Sequence, residues 1–393
     1  MKTLFIALAV VFSNLTGGGW VMTDEESGKV IGFSESGEVD CTDMPVALRE
    51  MMGGKEFRSE FKETTEARNK MQKIMAAGNV VVDPLIWVKW GQGTYYNSMC
   101  PEDSKGQGGH AQVGCGALVM GQIMRYWRYP THGQGSYSYE ANFSAYGYGD
   151  YGTQSADFEN TYYDYDNMPQ KLTASSTDAQ KEAVSTLLYH CGVAVNMAYG
   201  ASASTAQSWM MVYALSKYFR FPSTVEYIEK ANYTTAEWHE ILQRELDERA
   251  PFFYGASGSY GGHVFICDGY RDDNYYHLAW GWNGQYDGWF KIGDFTPGPY
   301  DFNQHHAAII GIRGDHVPEA VEETTADEEV LICQNPVKET LHLNGEHKGD
   351  IYDMAGRCVM SFEGENVNVS SLANGAYYLR TENGKGGLFL IEN

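Results

Sequence analysis

A cysteine lies between two glycines at the start of an apolar run with helical spacing. The run Q-V-G-C-G-A-L-V-M-G-Q-I-M-R-Y-W covers residues 112–127 and contains Cys115. A buried structural cysteine needs neither glycine, whereas the N-terminus of a helix stabilises a thiolate, so we expect the pKa of Cys115 to be lowered. Gly114 would leave the path of a substrate carbonyl open, and the backbone N–H of Cys115 would stabilise an oxyanion. The pattern predicts a nucleophile.

A thiolate nucleophile requires an imidazole that holds and transfers its proton. Among the eleven histidines, His263 follows the sequence Y-G-G and begins the apolar strand H-V-F-I-C-D-G-Y. Along the sequence, His263 follows Cys115 by about 130–150 residues, which is the separation that papain-like enzymes show. His277 is predicted to be a packed residue, and His305 and His306 are predicted to lie on the surface.

The secondary structure that must position Cys115 and His263 is predicted to change from helices to strands along the chain. Helices are predicted first and strands later, which is the α+β arrangement, and a groove commonly forms where two such halves meet. An N-terminal helix over 56–77 is followed by helices at 115–127, 178–191, 206–219 and 235–249, then by strands at 252–255, 263–270, 275–280, 288–292 and 307–312.

Composition limits the class of protein. The 393 residues carry a formal net charge of −23, which excludes nucleic acid as a partner and disfavours an anionic membrane surface. Lys2 followed by the apolar run L-F-I-A-L-A-V-V-F predicts a signal peptide. The seven cysteines contain no C-x-x-C pair, so neither a zinc ribbon nor a redox motif is expected, and Cys191 and Cys267 are predicted core residues.

Two long motifs carry a family resemblance. The segments G-C-G-A-L-V-M-G-Q-I-M-R-Y-W-R-Y-P and G-G-H-V-F-I-C-D-G-Y, with Y-Y-H-L-A-W-G-W-N-G after them, resemble the streptopain/interpain family of papain-like cysteine peptidases. The resemblance implies a papain-like fold with a helical half and an antiparallel β half, Cys115 and His263 as catalytic residues, and no metal or organic cofactor.

The same resemblance assigns further site residues. W-G-Q-G-T-Y-Y-N is similar to the family segment whose glutamine donates to the oxyanion, which implies that role for Gln92. Trp280 of W-G-W matches a tryptophan that orients the histidine, while core filling by Trp280 remains a compatible interpretation. Ala279 stands where some relatives have asparagine, so the imidazole would be held by Trp280 packing or by a backbone carbonyl. The substrate-binding residues implied by the resemblance are Gly262, Ser204 and Thr205, and Gly114 is added to them for the open path described above.

The regions before and after this domain complete a predicted order of segments. G-W-V-M-T-D-E-E resembles the family's inhibitory propeptide, which implies a zymogen cleaved near Asn79. Q-N-P-V, I-Y-D-M-A-G-R and L-A-N-G-A-Y-Y-L resemble sorting domains of the type IX secretion system. The predicted segments are a signal peptide at 1–16, a small propeptide domain at 17–80, the peptidase domain at 81–316, an acidic linker at 317–329 and a small β-sandwich sorting domain at 330–393.

These features predict a secreted cysteine endopeptidase, extracellular or on the outer-membrane surface. The expected partners are protein and peptide substrates, the protein's own propeptide as inhibitor and the type IX secretion machinery, and by resemblance an apolar residue is favoured two positions before the cut. Two alternatives remain: a cysteine amidase or transferase acting on small molecules, and a non-catalytic surface adhesin on a peptidase scaffold.

Overall fold

The computed structural model describes residues 10–14, 19–24, 29–36, 65–258, 261–297, 302–315, 337–353, 358–381 and 386–391. The chain divides into two compact units, Met1–Glu319 and Ala320–Asn393. The first nine residues of the predicted signal peptide and the predicted acidic linker lie outside the described residues. The predicted domain boundaries stay predictions.

The described helices of the larger unit all lie before the strands predicted from residue 252 onward. They are α1 (Thr65–Ala77), α2 (Cys115–Trp127), α3 (Asp178–Ala194), α4 (Ser208–Tyr218) and α5 (Thr235–Asp247). Helices α3 and α5 each begin with a capping box, in which Thr177 and Thr234 accept from the backbone N–H three residues later. None of the described helices is long and apolar enough to span a membrane.

The described strands of the larger unit pair in antiparallel fashion and lie before, between and after the helices. They are β1 (Val10–Asn14), β2 (Trp20–Asp24), β3 (Val30–Ser34), β4 (Val80–Val82), β5 (Ser136–Asn142), β6 (Asp150–Asp157), β7 (Glu226–Glu229), β8 (Phe252–Gly258), β9 (Gly261–Arg271), β10 (Tyr275–Ala279), β11 (Gly288–Lys291) and β12 (Gln304–Ile310). The main sheet has the order β1-β2-β3-β11-β10-β9-β8-β12-β7, with β4 paired to β9, while β5 and β6 form a separate hairpin.

The described part of the predicted propeptide adds strands to this sheet and belongs to the same compact unit. Strand β3 pairs with β11 through Trp289↔Phe33 and Phe290↔Gly32. Strand β1 contains the end of the apolar run assigned to the signal peptide and pairs with β2. The helix predicted over 56–77 begins at Thr65, and residues 56–64 lie outside the described part of the chain.

Helix α2 lies in the core between α3 and the sheet. From Gly116 to Trp127 only Arg125 is not buried, and the helix packs against α3 and β9. Gly121 brings α2 close to α3, because a Cβ at that position would come within 2.5 Å of Leu188 Cδ2. This burial holds the first residue of α2, Cys115, in a defined position at the end of the core.

The C-terminal unit has its own small core. Its described strands, β13 (Thr340–Asp353), β14 (Cys358–Asn368), β15 (Gly375–Thr381) and β16 (Gly386–Ile391), form one antiparallel sheet in the order β14-β13-β15-β16. Thr340 pairs with Asn368 of β14, whereas Val337, three residues earlier, bridges Ile391 of β16. The sheet therefore curves around one core, which includes Leu341, Ile351, Leu379 and Phe389.

Candidate active site

Cys115 is the first residue of α2 and is half-buried. Main-chain bonds hold the segment before it: Val113 N–H donates to Gln92 O (3.0 Å) and Gln112 N–H donates to Gly200 O (3.0 Å). The backbone N–H groups of Gly116 and of Val264 are hydrogen-bond donors to the Cys115 thiol. Because Val264 directly follows His263 in β9, the helix tip and this strand face each other at the sulfur.

A main-chain carbonyl orients His263. Its Nε2 lies 2.8 Å from Trp280 O, and since a carbonyl only accepts, Nε2 carries the proton. Nδ1 is then the unprotonated nitrogen, which can accept a proton. The imidazole is nearly parallel to two indole rings: that of Trp282 has its centroid at 4.8 Å, and that of Trp280 at 6.4 Å. Trp282 is therefore the nearer packing partner, and Trp280 contributes chiefly its carbonyl.

Cys115 and His263 line the same cavity, of about 230 Å³. Gly262 and Thr205, which are predicted to bind substrate, also line this cavity. The rest of the wall is mainly apolar or small: Ala206, Ser208, Tyr227, Phe253, Gly255, Ala256, Ser257, Val264, His305, Ala307, Ala308 and Ile309. Such a mixture suits the side chain and backbone of a peptide.

Burial favours the uncharged forms of both central groups. It raises the pKa of the Cys115 thiol, although the N–H groups of Val264 and Gly116 act in the opposite direction. It also lowers the pKa of His263 to about 4, against the raising effect of the bond to Trp280 O. The expectation of a lowered Cys115 pKa from the helix terminus alone is thus wrong in direction, because desolvation of the thiolate exceeds the stabilisation by the N–H groups.

The carbonyl that holds His263 belongs to a residue that is itself anchored. Asp287 accepts a hydrogen bond from Trp280 N–H (2.8 Å) and pairs with Lys89 Nζ at 3.0 Å. This ion pair connects the turn after β10 to the segment that leads to Gln92. Asp287 begins the sequence D-G-W-F-K-I, which follows the second motif, but its spacing gives no indication of this anchoring role.

Gln92 is half-buried and lies next to the segment that precedes Cys115. Its carbonyl accepts the hydrogen bond from Val113 N–H described above. The described residues that line the cavity do not include Gln92. The backbone of Gln92 therefore lies near the start of α2, but its side chain does not line the cavity.

Two of the predicted substrate-binding residues, Ser204 and Gly114, are in contact with other parts of the protein. Ser204 is buried, and its hydroxyl donates to Gln112 O (2.6 Å) and accepts from Gly200 N–H (3.1 Å). Gly114 has φ +88°, and a Cβ there would come within 2.6 Å of Met197 Sδ. The positive φ and the contact with Met197 both favour glycine at position 114. Its role in substrate binding stays a prediction.

His305 is exposed, as the sequence predicts, but it also lines the cavity, which the sequence does not predict. It has φ +50°, next to a register shift between β12 and β8 at Gln304 and Ala307. This bulge directs the exposed ring into the lining of the cavity, where Nδ1 lies 2.8 Å from Ser257 Oγ. A histidine followed by another histidine carries no periodic signal of this placement.

His277 forms a second imidazole site that is structural, in agreement with the prediction of a packed residue. Its Nδ1 lies 2.6 Å from Asp268 Oδ1, and both residues are buried. The other carboxylate oxygen of Asp268 accepts from Ile86 N–H at 2.9 Å, so the pair attaches the segment after β4 to the sheet. Among the residues that the structure describes, no group of three or more His, Cys, Asp or Glu could hold a metal ion.

Comparison with known proteins agrees with this geometry. Residues 90–290 match the peptidase C10 family. The chain belongs to the peptidase C10 family. Residues 334–389 match the secretion system C-terminal sorting domain, which indicates export to the cell surface or the medium. The C10 match contains Gln92, Cys115, His263 and Trp280.

Two relatives of this C10 peptidase are streptopain and a protein named as a thiol protease. Streptopain of Streptococcus pyogenes is 28% identical over 327 residues, which cover 76% of this chain and 79% of streptopain. The thiol protease/hemagglutinin PrtT of Porphyromonas gingivalis is 30% identical over 310 residues, which cover 74% of this chain and 34% of PrtT.

Solved structures give the same family. Active interpain A cysteine protease of Prevotella intermedia has a TM-score of 0.55 at 36% identity, covering 59% of this chain and 95% of interpain A. A prointerpain A fragment has a TM-score of 0.58 at 29% identity, covering 77% of this chain and 95% of the fragment. The C10 chain is therefore a cysteine peptidase with an α+β papain-like fold.

Proposed function

We propose that this peptidase is an exported endopeptidase, made as a zymogen, in which Cys115 is the nucleophile and His263 its proton acceptor and donor. The observation that carries the proposal is the shared cavity: the thiol at the tip of α2 and the imidazole at the start of β9 line it together. Two separate secondary-structure elements thus contribute their side chains to one cavity.

The tautomer of His263 sets the direction of proton transfer. With Nε2–H donating to Trp280 O, Nδ1 accepts the proton of the Cys115 thiol. The transfer creates a thiolate and an imidazolium together, and their attraction offsets the desolvation that each would suffer alone. The thiolate attacks the peptide carbonyl, the imidazolium protonates the leaving amine, and water then hydrolyses the thioester.

The oxyanion would be stabilised by the backbone N–H of Cys115 and the side chain of Gln92. The hydrogen bond from Val113 N–H to Gln92 O supports this assignment, because it fixes Gln92 beside the nucleophile. The Gln92 amide must then turn toward the cavity when a substrate is bound. Oxyanion donors of this kind contribute about 3 kcal/mol of transition-state stabilisation.

Substrate preference is assigned to the apolar wall of the cavity. Phe253, Ala308 and Ile309 line the cavity together with Thr205 and Gly262, which supports an apolar residue two positions before the cut. The natural substrates would be extracellular proteins, since the sorting domain indicates export. The propeptide and the secretion machinery would be the other partners of the chain.

The test is a comparison of the wild type with Cys115→Ala. We expect Cys115→Ala to lose all casein hydrolysis and to accumulate as the unprocessed precursor, because no other described cysteine lines the cavity. A thiol-directed epoxide should add once to the wild type, at Cys115, as measured by mass spectrometry of peptides.

Cys358→Ser is the matched control, since Cys358 is exposed but lies in the C-terminal unit. This variant should retain both activity and the single adduct. Casein hydrolysis that persists in Cys115→Ala would overturn the nucleophile assignment. Activity on small amides without activity on casein would favour the amidase alternative.

A further inference from the structure

The turn between β9 and β10 binds the main chain at the end of the predicted propeptide. Asp272 accepts from Asn79 N–H (2.8 Å) and from Asn79 Nδ2 (2.9 Å) with its two carboxylate oxygens. Asp272 N–H donates to Asn79 O at 3.0 Å. A single aspartate therefore binds the backbone N–H, the backbone carbonyl and the side-chain amide of Asn79.

Arg271, the residue before Asp272, binds the carbonyl side of the peptide bond between Gly78 and Asn79. Arg271 Nη2 donates to Gly78 O (2.9 Å) and to Ile74 O (2.8 Å), the latter in the last turn of α1. Its Nε also donates to Asp273 Oδ1 at 3.0 Å. A guanidinium thus contacts the carbonyl side of the Gly78–Asn79 bond, while a carboxylate contacts the amide side.

Arg271 is an unusual residue for this position because only 1% of its surface is exposed. Its guanidinium lies 5.3 Å from the ring centroid of Phe33 and 5.9 Å from that of Tyr275. Phe33 belongs to β3 of the predicted propeptide and Tyr275 to the peptidase sheet. A buried cation requires an anionic partner, and Asp273 supplies one.

Gly78 allows the close approach of the turn. A Cβ at this residue would come within 2.5 Å of Asp273 Cγ and 2.8 Å of Asp272 Oδ1. The side chains on either side of Gly78, those of Ala77 and Asn79, are exposed. Gly78 itself is buried against the charged groups of Asp272 and Asp273, so the Gly78–Asn79 bond joins a buried residue to an exposed one.

We propose that Arg271 and Asp272 form a binding site for the two chain ends that hydrolysis of the Gly78–Asn79 bond produces. The proposal rests on the proposed zymogen function. Hydrolysis adds the hydroxide of water to the Gly78 carbonyl carbon and its proton to the Asn79 nitrogen, which breaks the C–N bond. At neutral pH the products ionise to a carboxylate at Gly78 and an ammonium at Asn79.

Each product charge then has an opposite charge already in place. The Gly78 carboxylate forms where its carbonyl oxygen contacts Arg271, and the Asn79 ammonium forms where its N–H contacts Asp272. Hydrogen bonds with one charged partner become bonds between two opposite charges, which are stronger. The cut propeptide is consequently retained by Arg271, and the new N-terminus stays beside Asp272 at the start of β4.

The first experiment locates the cut. Cys115→Ala precursor is treated with active wild-type enzyme, and the products are identified by intact mass and N-terminal sequencing. We expect a new N-terminus at Asn79 and a propeptide ending at Gly78. Cleavage at another bond overturns this inference alone, whereas the absence of any cleavage overturns the proposed zymogen processing as well.

The second experiment tests Asp272. In Asp272→Asn an amide oxygen still accepts from Asn79, but the charge is lost. Because an ion pair keeps the new α-amine protonated, reductive methylation near pH 7 should be about 3- to 10-fold slower in the wild type than in Asp272→Asn. Glu240→Gln, which removes an exposed charge from α5, should match the wild type. Equal rates in the wild type and Asp272→Asn would overturn the assignment.

The third experiment tests Arg271 on the cut complex. Size-exclusion chromatography should show that the wild-type complex retains the propeptide fragment, while Arg271→Gln releases it about 10- to 100-fold faster, because charged hydrogen bonds to the new carboxylate are lost. Arg271→Lys keeps the charge and should fall between them. Release at the wild-type rate in a folded Arg271→Gln protein would contradict retention by this guanidinium.

Discussion

At the scale of single residues, the site depends on which atoms hold the imidazole. His263 donates to a backbone carbonyl at 2.8 Å and stacks on Trp282, whereas Ala279, at the position of an amide in some relatives, has no polar side chain. A carbonyl can only accept, so it fixes the tautomer of His263 without adding a titratable group. The orientation of the proton acceptor therefore needs no third polar side chain.

His305 provides the prediction at this scale. Its ring lines the cavity and its Nδ1 contacts Ser257, so we expect it to bind substrate and to take no part in proton transfer. His305→Ala should raise KM for peptide substrates by about 3- to 10-fold, the value of one hydrogen bond, with little change in kcat.

His342→Ala is a suitable control, since His342 lies in β13 of the C-terminal unit and should leave both constants unchanged. Steady-state kinetics with a fluorogenic peptide provide the measurement. A large fall in kcat for His305→Ala would instead indicate a direct role in the chemistry.

At the scale of elements, the proposed active site lies where the N-terminus of α2 meets β9 and the turn between β10 and β11. Asp287, in that turn, joins Trp280 N–H to Lys89. The turn is thereby fastened to the segment before Gln92, and the carbonyl that holds His263 is kept in place. Asp287 is a positioning residue, because it acts on the imidazole only through Trp280.

Asp287→Ala is expected to lower kcat by about tenfold or more, because it leaves Trp280 N–H unsatisfied and Lys89 without its ion-pair partner. Asp287→Asn keeps an acceptor for Trp280 N–H and should recover most of the lost kcat. Measuring kcat and thermal stability for both variants separates positioning from folding. If Asp287→Asn were as inactive as Asp287→Ala while equally stable, the charge itself would be required.

At the scale of the whole molecule, stability depends on pH through buried histidines. Burial lowers the pKa of His190 to about 4, with the charge of Asp157 acting in the opposite direction. The unfolded chain takes up a proton below about pH 6.5, whereas the folded chain does so only near pH 4. The stability that His190 provides by staying neutral is therefore full above pH 6.5 and is lost as the pH falls toward 4.

His190→Gln should reduce this acid sensitivity, because glutamine does not titrate. Between about pH 7 and pH 4.5 we expect the free energy of unfolding to fall by about 2 kcal/mol more in the protein that keeps His190 than in the His190→Gln variant. Urea unfolding at the two pH values, with Cys115→Ala present in both proteins to prevent self-digestion, gives the comparison. Parallel losses in both proteins would mean that other groups dominate the acid transition.

The sequence alone determined the elements and the chemistry of the main motifs. Helix α2 begins at Cys115 as its apolar spacing predicts, and β9 contains His263, because periodicity and turn residues are local properties of the chain. The order of helices before strands likewise established the α+β class. The hairpin of β5 and β6 was missed, since its strands are mostly polar and only partly buried.

Only the tertiary structure decided which groups meet across large sequence separations. It attached the strands of the predicted propeptide to β11, placed Trp282 closer than Trp280 to His263, brought His305 into the cavity, and enclosed Ser204 and Gly114 in protein contacts. These outcomes depend on packing and desolvation, which are properties of the assembled fold and leave no periodic trace in the sequence.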